Sequence, residues 1–171
     1  MVFTCTVASQ KIASACVRYD MGSMTLSEAA RNPALVQTVS MTYRYGRKGA
    51  VELSLPVKPK EFDPVIHVSE VVSHDPLDDD LFIRFAHKQY SYALYTSIVD
   101  GVDFAGLAIF KGHELLKKES CLPGSSDFRA SWQTLTNIGV PTELDGDSLR
   151  FWKAILPADS RALHSLFAKH E

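Results

Sequence analysis

The chain has 171 residues, 46% of them hydrophobic and 22% charged, with a formal net charge of −2 and a pI of about 6.3. This length can bury a core and fits a single domain over residues 1–171, and the composition excludes global disorder. The weak negative charge excludes a general electrostatic attraction to nucleic acid or anionic membranes.

No apolar run approaches the roughly 20 residues that span a bilayer, so no transmembrane segment is predicted. The N-terminus also lacks the basic and apolar segments of a signal peptide. A strand-like pattern begins at Val2. We therefore expect either a cytoplasmic protein or, more in keeping with that abrupt start, the mature form of an exported one.

Alternation of apolar and polar residues predicts seven to nine strands in a β core over residues 1–122. The β-rich runs are residues 2–7, 12–19, 36–45, 51–55, 65–72, 81–85, 90–95, 104–110 and 114–121. Most are separated by short segments rich in glycine or polar residues, which is typical of hairpins. The predicted fold is mainly β, an antiparallel barrel or sandwich.

Residues 123–171 are predicted to form a helical tail packed on this core. Phe128, Trp132 and Leu135 follow helical spacing, as do Leu163, Leu166 and Phe167 in a second segment over 157–170. Ser125 or Ser126 would cap the first helix, and no nucleophile motif surrounds them. The tail is expected to cover one end or an open edge of the sheet.

The three cysteines bear on the cellular compartment. If the first hairpin turns about Gln10-Lys11, residues whose numbers sum to 21 face each other, and Cys5 then opposes Cys16. This predicts a Cys5–Cys16 disulfide and an oxidising compartment, with Cys121 left over. The alternative is a cytoplasmic protein in which the cysteines are reduced.

Two groups of potential metal ligands are better explained without a metal. On a helix, His67, Glu70 and His74 would share one face and could bind zinc. The surrounding valine and isoleucine residues predict a strand instead, and a strand puts His67 and His74 on opposite faces. The acidic run over residues 75–80 lacks the glycine and glutamate of a calcium-binding loop and reads as a solvated connection. We predict no metal site and no cofactor.

The segment from Tyr43 to Lys48 mixes basic and aromatic residues, as single-strand nucleic-acid binders do. Its alternation and Gly46 explain the same residues as the end of a hairpin. Together with the negative net charge, this predicts no nucleic-acid partner.

A protein partner is predicted instead, at a cluster of tyrosine and serine residues and at charged positions. Tyrosine and serine are favourable in recognition surfaces because they contribute contacts at little cost in entropy. The predicted partner-binding residues are Tyr92, Tyr95, Ser97, Asp78, Asp79, Asp80 and Lys111. The alternative is that Tyr90 and Tyr92 pack on one sheet face and Tyr95 on the other.

Short motifs carry a resemblance to a known group of proteins. They are Phe3-Thr4-Cys5, Cys16, Tyr43-Arg44-Tyr45-Gly46, Val51-Glu52-Leu53, Phe82-x-Arg84-Phe85, Tyr90-Ser91-Tyr92-x-x-Tyr95, Ala105-Gly106-Leu107-x-Ile109-x-Lys111 and Cys121. Over roughly residues 2–142 the chain resembles small exported proteobacterial proteins, mostly uncharacterised. More distantly it is similar to the periplasmic and membrane-bound inhibitors of c-type lysozyme.

The resemblance implies a small, disulfide-tied β-barrel. In that group a fourth cysteine follows a proline, where this chain has Pro141-Thr142, so the resemblance leaves Cys121 without a partner and favours Cys5 with Cys16. The lysozyme inhibitors fill the enzyme's cleft with a serine-bearing loop and a lysine, and Ser97 and Lys111 are loosely placed to match them.

Three functions follow from the sequence as hypotheses. The first is a non-enzymatic, periplasmic protein that binds and neutralises another protein, either a delivered toxin or a cell-wall hydrolase such as lysozyme. The second is an enzyme whose site is assembled from dispersed residues such as His67, His74 and Asp75. The third is a structural component of the envelope, which would form a homo-oligomer.

Overall fold

The computed structural model describes residues 2–25, 27–28, 36–72, 79–99, 102–128, 132–142 and 154–155. Its strands are β1 (Phe3–Thr6), β2 (Ile12–Asp20), β3 (Gln37–Arg47), β4 (Ala50–Val57), β5 (Ile66–Val72), β6 (Asp79–His87), β7 (Tyr90–Val99), β8 (Val102–Lys111), β9 (Glu114–Ser120) and β10 (Asp127–Phe128). They form two five-stranded antiparallel sheets: sheet 1 in the order β10-β1-β2-β3-β4 and sheet 2 in the order β5-β6-β7-β8-β9. The predicted mainly β fold is confirmed, and the two separate sheets correspond to a sandwich rather than a closed barrel.

Helix is scarce in the described residues. A 3-10 turn (Pro59–Glu61) leads into the four-residue helix α1 (Phe62–Val65), and α2 (Trp132–Asn137) follows β10. The prediction that Phe128 belongs to a helix with Trp132 and Leu135 is wrong for Phe128. It pairs with Phe3 in sheet 1, and the two rings meet edge to face with centroids 5.6 Å apart. The second predicted helix, over residues 157–170, lies outside the described residues.

The main core lies between the two sheets. Successive side chains of a strand point to opposite faces. On β3, Met41 and Tyr43 therefore point to the core and are buried, whereas Arg44 points to the other face and is exposed. The Tyr43 ring meets Phe85 and Tyr92 of sheet 2 at centroid distances of 5.5 and 5.3 Å. Each fully buried apolar side chain of this size contributes roughly 1.5–3 kcal/mol to folding, which is why the alternating pattern fixes the inner face.

Sheet 2 is also buried on the face that points away from sheet 1. Phe82, Tyr95 and Phe110 form a second apolar cluster there, against which Ile155 packs. Lys118 of β9 donates a hydrogen bond from Nζ to the carbonyl of Ile155. Burial on both faces explains why β6 contains a continuous apolar run instead of a strict alternation.

The predicted Cys5–Cys16 disulfide is wrong; Cys5 is bonded to Cys121 instead, with their Cα atoms 5.5 Å apart. The first hairpin turns earlier than expected, because Gln10 adopts a φ of 61° and its N–H donates to the carbonyl of Val7. The numbers of facing residues therefore add up to 18 and not to the predicted 21, so Cys5 faces Ala13. Cys16 is a free thiol that faces Thr42 on β3.

The disulfide sits where the chain crosses from sheet 2 to sheet 1. After β9, Cys121 forms a bridge with Val7 and the N–H of Leu122 donates to the carbonyl of Thr6. Ser125 then accepts from the Thr6 N–H through Oγ, at 3.2 Å. The prediction that Ser125 caps a helix is wrong. The strand β10 follows it, and its hydroxyl forms hydrogen bonds with the backbone of Thr6 in β1.

Part of the tail covers the outer edge of β5. The N–H of Val68 donates to the carbonyl of Pro141 at 3.0 Å, and Val68 forms a parallel bridge with Thr142. An edge strand with unpaired backbone groups is a liability for aggregation, and this segment satisfies some of them.

Candidate functional site

The predicted tyrosine and serine cluster does not form one surface. Tyr92 is half-buried and faces sheet 1, whereas Tyr95 points to the other face of sheet 2 and is 2% exposed. Ser97 is 0% exposed within β7. In this conformation Tyr95 and Ser97 offer no surface to a partner, and Ser97 does not sit on a loop as the serine of the lysozyme inhibitors does.

Two buried hydroxyls are left without hydrogen bonds among the described residues. They are Ser97 Oγ and Tyr43 Oη. A buried polar group without a partner costs roughly 1–3 kcal/mol. Burial, with the neighbouring Tyr45, Tyr92 and Glu119, strongly raises the pKa of Tyr43, so this phenol is neutral throughout the physiological range.

The predicted acidic residues and the predicted lysine lie toward opposite ends of sheet 2. Lys111 ends β8 opposite Tyr90, and it is exposed. Asp79 and Asp80 begin β6, and the next residue, Leu81, faces Thr96 of β7. Thr96 follows Tyr90 by six positions, which is roughly 20 Å along a strand. Asp78 lies outside the described residues.

A polar cluster crosses β5, β6 and β7 on the outer face of sheet 2. Arg84 contacts His67 Nδ1 at 3.1 Å through one guanidinium nitrogen and Ser91 Oγ at 3.5 Å through another. His67 Nε2 lies 3.8 Å from Asp63 Oδ1, across the junction of α1 and β5. The His67 side chain is 15% exposed and that of Asp63 is 80% exposed, so the cluster opens to solvent at the aspartate.

The order of these groups does not form a catalytic triad. A guanidinium only donates hydrogen bonds, so His67 Nδ1 accepts from Arg84 and neutral His67 carries its proton on Nε2, toward Asp63. The lone pair on His67 Nδ1 therefore points at Arg84. A general base would have to accept the proton of the Ser91 hydroxyl, and this lone pair does not reach it. The cluster links β5, β6 and β7 through His67, Arg84 and Ser91. It places the positive charge of Arg84 behind His67, which in turn lies beside the exposed carboxylate of Asp63.

A second polar network joins the two sheets. Tyr45 Oη of β3 donates to Glu119 Oε2 of β9 at 2.9 Å, and Glu119 also accepts Lys117 Nζ at 3.0 Å. Lys11 lies over the Tyr45 ring at 5.2 Å and forms a 2.7 Å ion pair with Glu52. Burial raises the pKa of Tyr45, and the hydrogen bond to Glu119 adds to this effect.

No role follows from the sequence for Arg84, Glu119 or Asp63, and Ser91 enters only as a member of the predicted tyrosine and serine cluster. The sequence does contain a signal for Arg84 and Ser91: a turn at Lys88-Gln89 sets Arg84 opposite Ala93, so Arg84 and Ser91 point to the same face of the sheet. No comparable signal exists for Tyr45 and Glu119, which lie 74 positions apart and meet only when the sheets pack.

Only part of the group of potential metal ligands, His67, Glu70 and His74, lies in the described part of the chain. His67 lies on β5 as the strand interpretation predicted, and His74 and Asp75 lie outside the described residues. Among the residues that the structure does describe, no three His, Cys, Asp or Glu side chains are grouped so as to hold a metal ion. None of the described helices is long and apolar enough to cross a membrane.

Comparison with protein-family models, with curated protein sequences and with solved structures finds no match to this chain.

Proposed function

We propose that this chain is a non-enzymatic binding protein of the bacterial envelope that neutralises another protein, as an immunity protein or a lysozyme-type inhibitor does. The observation that carries the proposal is the Cys5–Cys121 disulfide, which closes a separation of 116 residues at the crossing between the sheets. Disulfides persist in oxidising compartments such as the periplasm. A cross-linked β scaffold suits binding, because a pre-organised surface loses little conformational entropy when a partner docks.

We place the partner surface at the end of sheet 2 where β5 joins β6 and β7 joins β8. Register brings Asp79 and Asp80 of β6 to this end, and Asp103 of β8 faces Ile98 there. In the sequence, Asp78 directly precedes Asp79, and Asp100 directly follows the last residue of β7, Val99. A concentration of negative charge favours a basic partner, and it speeds diffusional encounter more than it adds affinity.

The proposed mode of action is binding and not catalysis, and it assigns the polar cluster a structural role. Arg84 lies between Ser91 and His67, so His67 is not positioned to activate the Ser91 hydroxyl.

The compartment is tested on protein recovered from its native host, denatured without reductant and mapped by mass spectrometry of its cysteine peptides. We expect Cys5 linked to Cys121 and one free thiol at Cys16. Three free thiols would refute the placement in the envelope.

The partner is tested by immobilising the disulfide-intact chain and capturing proteins from envelope extracts, and by adding the chain to a c-type lysozyme in a cell-lysis assay. Combined Asp78→Asn, Asp79→Asn and Asp80→Asn should slow association with the captured partner and reduce its dependence on salt. Glu114→Gln is the matched control, an exposed carboxylate at the opposite end of sheet 2. Equal association rates for the triple variant and the parent would contradict the acidic surface.

A further inference from the structure

Solvent reaches the inner faces of both sheets at one side of the main core. Leu53 and Leu55 point inward from β4, the edge strand of sheet 1, and both are half-buried. Tyr92 of β7 and Ile109 of β8 face each other on the inner face of sheet 2, and they are also half-buried. All four side chains pack against the main core, so together they form a partly open apolar surface between the sheets, which we call the mouth.

Tyr43 joins the two halves of the mouth. It lies opposite Leu55 in sheet 1, and its buried ring stacks on the ring of Tyr92 in sheet 2 at a centroid distance of 5.3 Å. Sites for small molecules are lined mainly by apolar and aromatic side chains, and the open end of a β structure is one of the places where they occur. The lining of the mouth therefore suits an apolar chain.

Two ion pairs lie around the mouth, and each is neutral as a whole. Lys11 forms a 2.7 Å ion pair with Glu52 of β4. Lys117, the cross-strand neighbour of Ile109, forms a 3.0 Å ion pair with Glu119. These two pairs add no net charge to the rim.

Lys111 is a cation at the rim that has no such partner among the described residues. It follows Ile109 by two residues on β8, so its side chain lies on the same face of sheet 2. It is exposed, and its cross-strand neighbour on β9, Glu114, does not form an ion pair with it. An apolar surface that ends at an unpaired ammonium group fits a ligand with an apolar chain and an anionic head.

We propose that the mouth binds a linear amphipathic carboxylate of the fatty-acid class. The chain of the ligand lies against Tyr92 and Ile109, and its carboxylate accepts a hydrogen bond from Lys111 Nζ. A carboxylate head is favoured over a neutral or cationic one, because it forms a charge-assisted hydrogen bond with the ammonium group. The inference is independent of the envelope function proposed above.

The first test is a titration of the full chain with decanoate, followed by backbone amide shifts in NMR spectra. We expect the shifts to concentrate on Leu53, Tyr92, Ile109 and Lys111. Octanoate, which is two methylene groups shorter, should bind roughly tenfold more weakly. Decyltrimethylammonium, which has the same chain and a positive head, should also bind more weakly than decanoate. Shifts confined to another part of the chain, or equal affinities for decanoate and decyltrimethylammonium, would overturn the proposal.

The second test removes the charge that is proposed to hold the head. Lys111→Gln should weaken decanoate binding by roughly fivefold or more. Lys88→Gln is the matched control, because it removes the same charge from an exposed turn at the same end of sheet 2 and should change the affinity little. Glu114→Gln should tighten binding, since it removes a carboxylate that opposes Lys111 and repels the ligand. Equal losses for Lys111→Gln and Lys88→Gln would show a general attraction of anions and refute the assigned head position.

Thermal unfolding separates binding to the folded chain from a detergent effect. A ligand that binds only the folded state raises the Tm, whereas one that prefers the unfolded chain lowers it. Decanoate should therefore raise the Tm of the parent and raise that of Lys111→Gln less. A Tm that falls on addition of decanoate would overturn the proposal, because the ligand would then bind preferentially to the unfolded chain.

Discussion

The phenol ring of Tyr95 on β7 lies directly over Gly106, its cross-strand neighbour on β8. A β-carbon built on Gly106 would come within 3.0 Å of the Tyr95 hydroxyl and of the carbonyl oxygen of Glu119. The hydroxyl reaches Ser120 of β9, which faces Gly106 from the other side. A single glycine thus allows one aromatic side chain to span three strands of sheet 2.

Gly106→Ala should lower the free energy of unfolding by about 1–3 kcal/mol, because the added methyl group overpacks a closed site. Urea unfolding measures the change. In a Tyr95→Leu background the same substitution should cost less, since the phenol no longer occupies the space, although the backbone contact to Glu119 remains. An equal cost in both backgrounds would show that Tyr95 does not fill this position.

Removal of the disulfide should destabilise the protein strongly. Cys5→Ala with Cys121→Ala opens a connection between residues 116 positions apart, for which the chain-entropy model gives about 4–5 kcal/mol. Cys16→Ser is the control, a half-buried free cysteine that should change the free energy of unfolding far less. If Cys16→Ser had the larger effect in non-reducing urea titrations, the Cys5–Cys121 pairing would be wrong.

Tyr45→Phe should weaken the link between the sheets. The substitution removes the hydrogen bond to Glu119, whose side chain is 14% exposed and keeps Lys117 as its ion-pair partner. We expect a loss of roughly 1–2 kcal/mol in thermal or urea unfolding. Tyr19→Phe, at a tyrosine that is 43% exposed, is the matched control and should have little effect. Comparable losses in the two variants would argue against a specific contribution of the Tyr45–Glu119 bond.

Alkaline pH should unfold the protein because its tyrosines ionise more readily in the unfolded chain. Burial raises the pKa of Tyr95 to about 12 and raises the pKa of Tyr43 further, from an ordinary value near 10. The contribution of these buried, neutral phenols to the free energy of unfolding is therefore complete below pH 10. It is lost as the pH rises toward 12, at up to about 1.4 kcal/mol per pH unit for each such tyrosine.

Urea titrations between pH 8 and 11.5 measure this slope, in a Cys16→Ser background that prevents thiol exchange with the disulfide. Tyr95→Phe should reduce the slope above pH 10, and Tyr19→Phe should reduce it less because Tyr19 is more exposed. Stability that did not fall above pH 10 would contradict the burial of these phenols.

The strands were largely predictable because their information is local. The alternation in β3 and β4 and the turn predicted at residues 46–49 require only neighbouring residues. The structure confirms this hairpin, although β3 extends to Arg47 and the connection is only Lys48-Gly49. Register was less predictable, since one left-handed residue, Gln10, shifted the first hairpin and with it the partner of Cys5. A spacing argument could not anticipate that conformation, because a residue other than glycine rarely adopts a positive φ.

By itself the sequence determined where β1 to β9 lie along the chain and that most of them are joined as hairpins, because alternation and turn chemistry act over a few residues. Only the tertiary structure decided that Cys5 bonds Cys121, that Tyr45 meets Glu119 and that Ile155 packs against the apolar cluster on the outer face of sheet 2. It also separated Lys111 from Asp79 and Asp80, although the sequence suggested one partner surface. The physical reason is that these relationships depend on how two sheets and a tail pack, which no local pattern encodes.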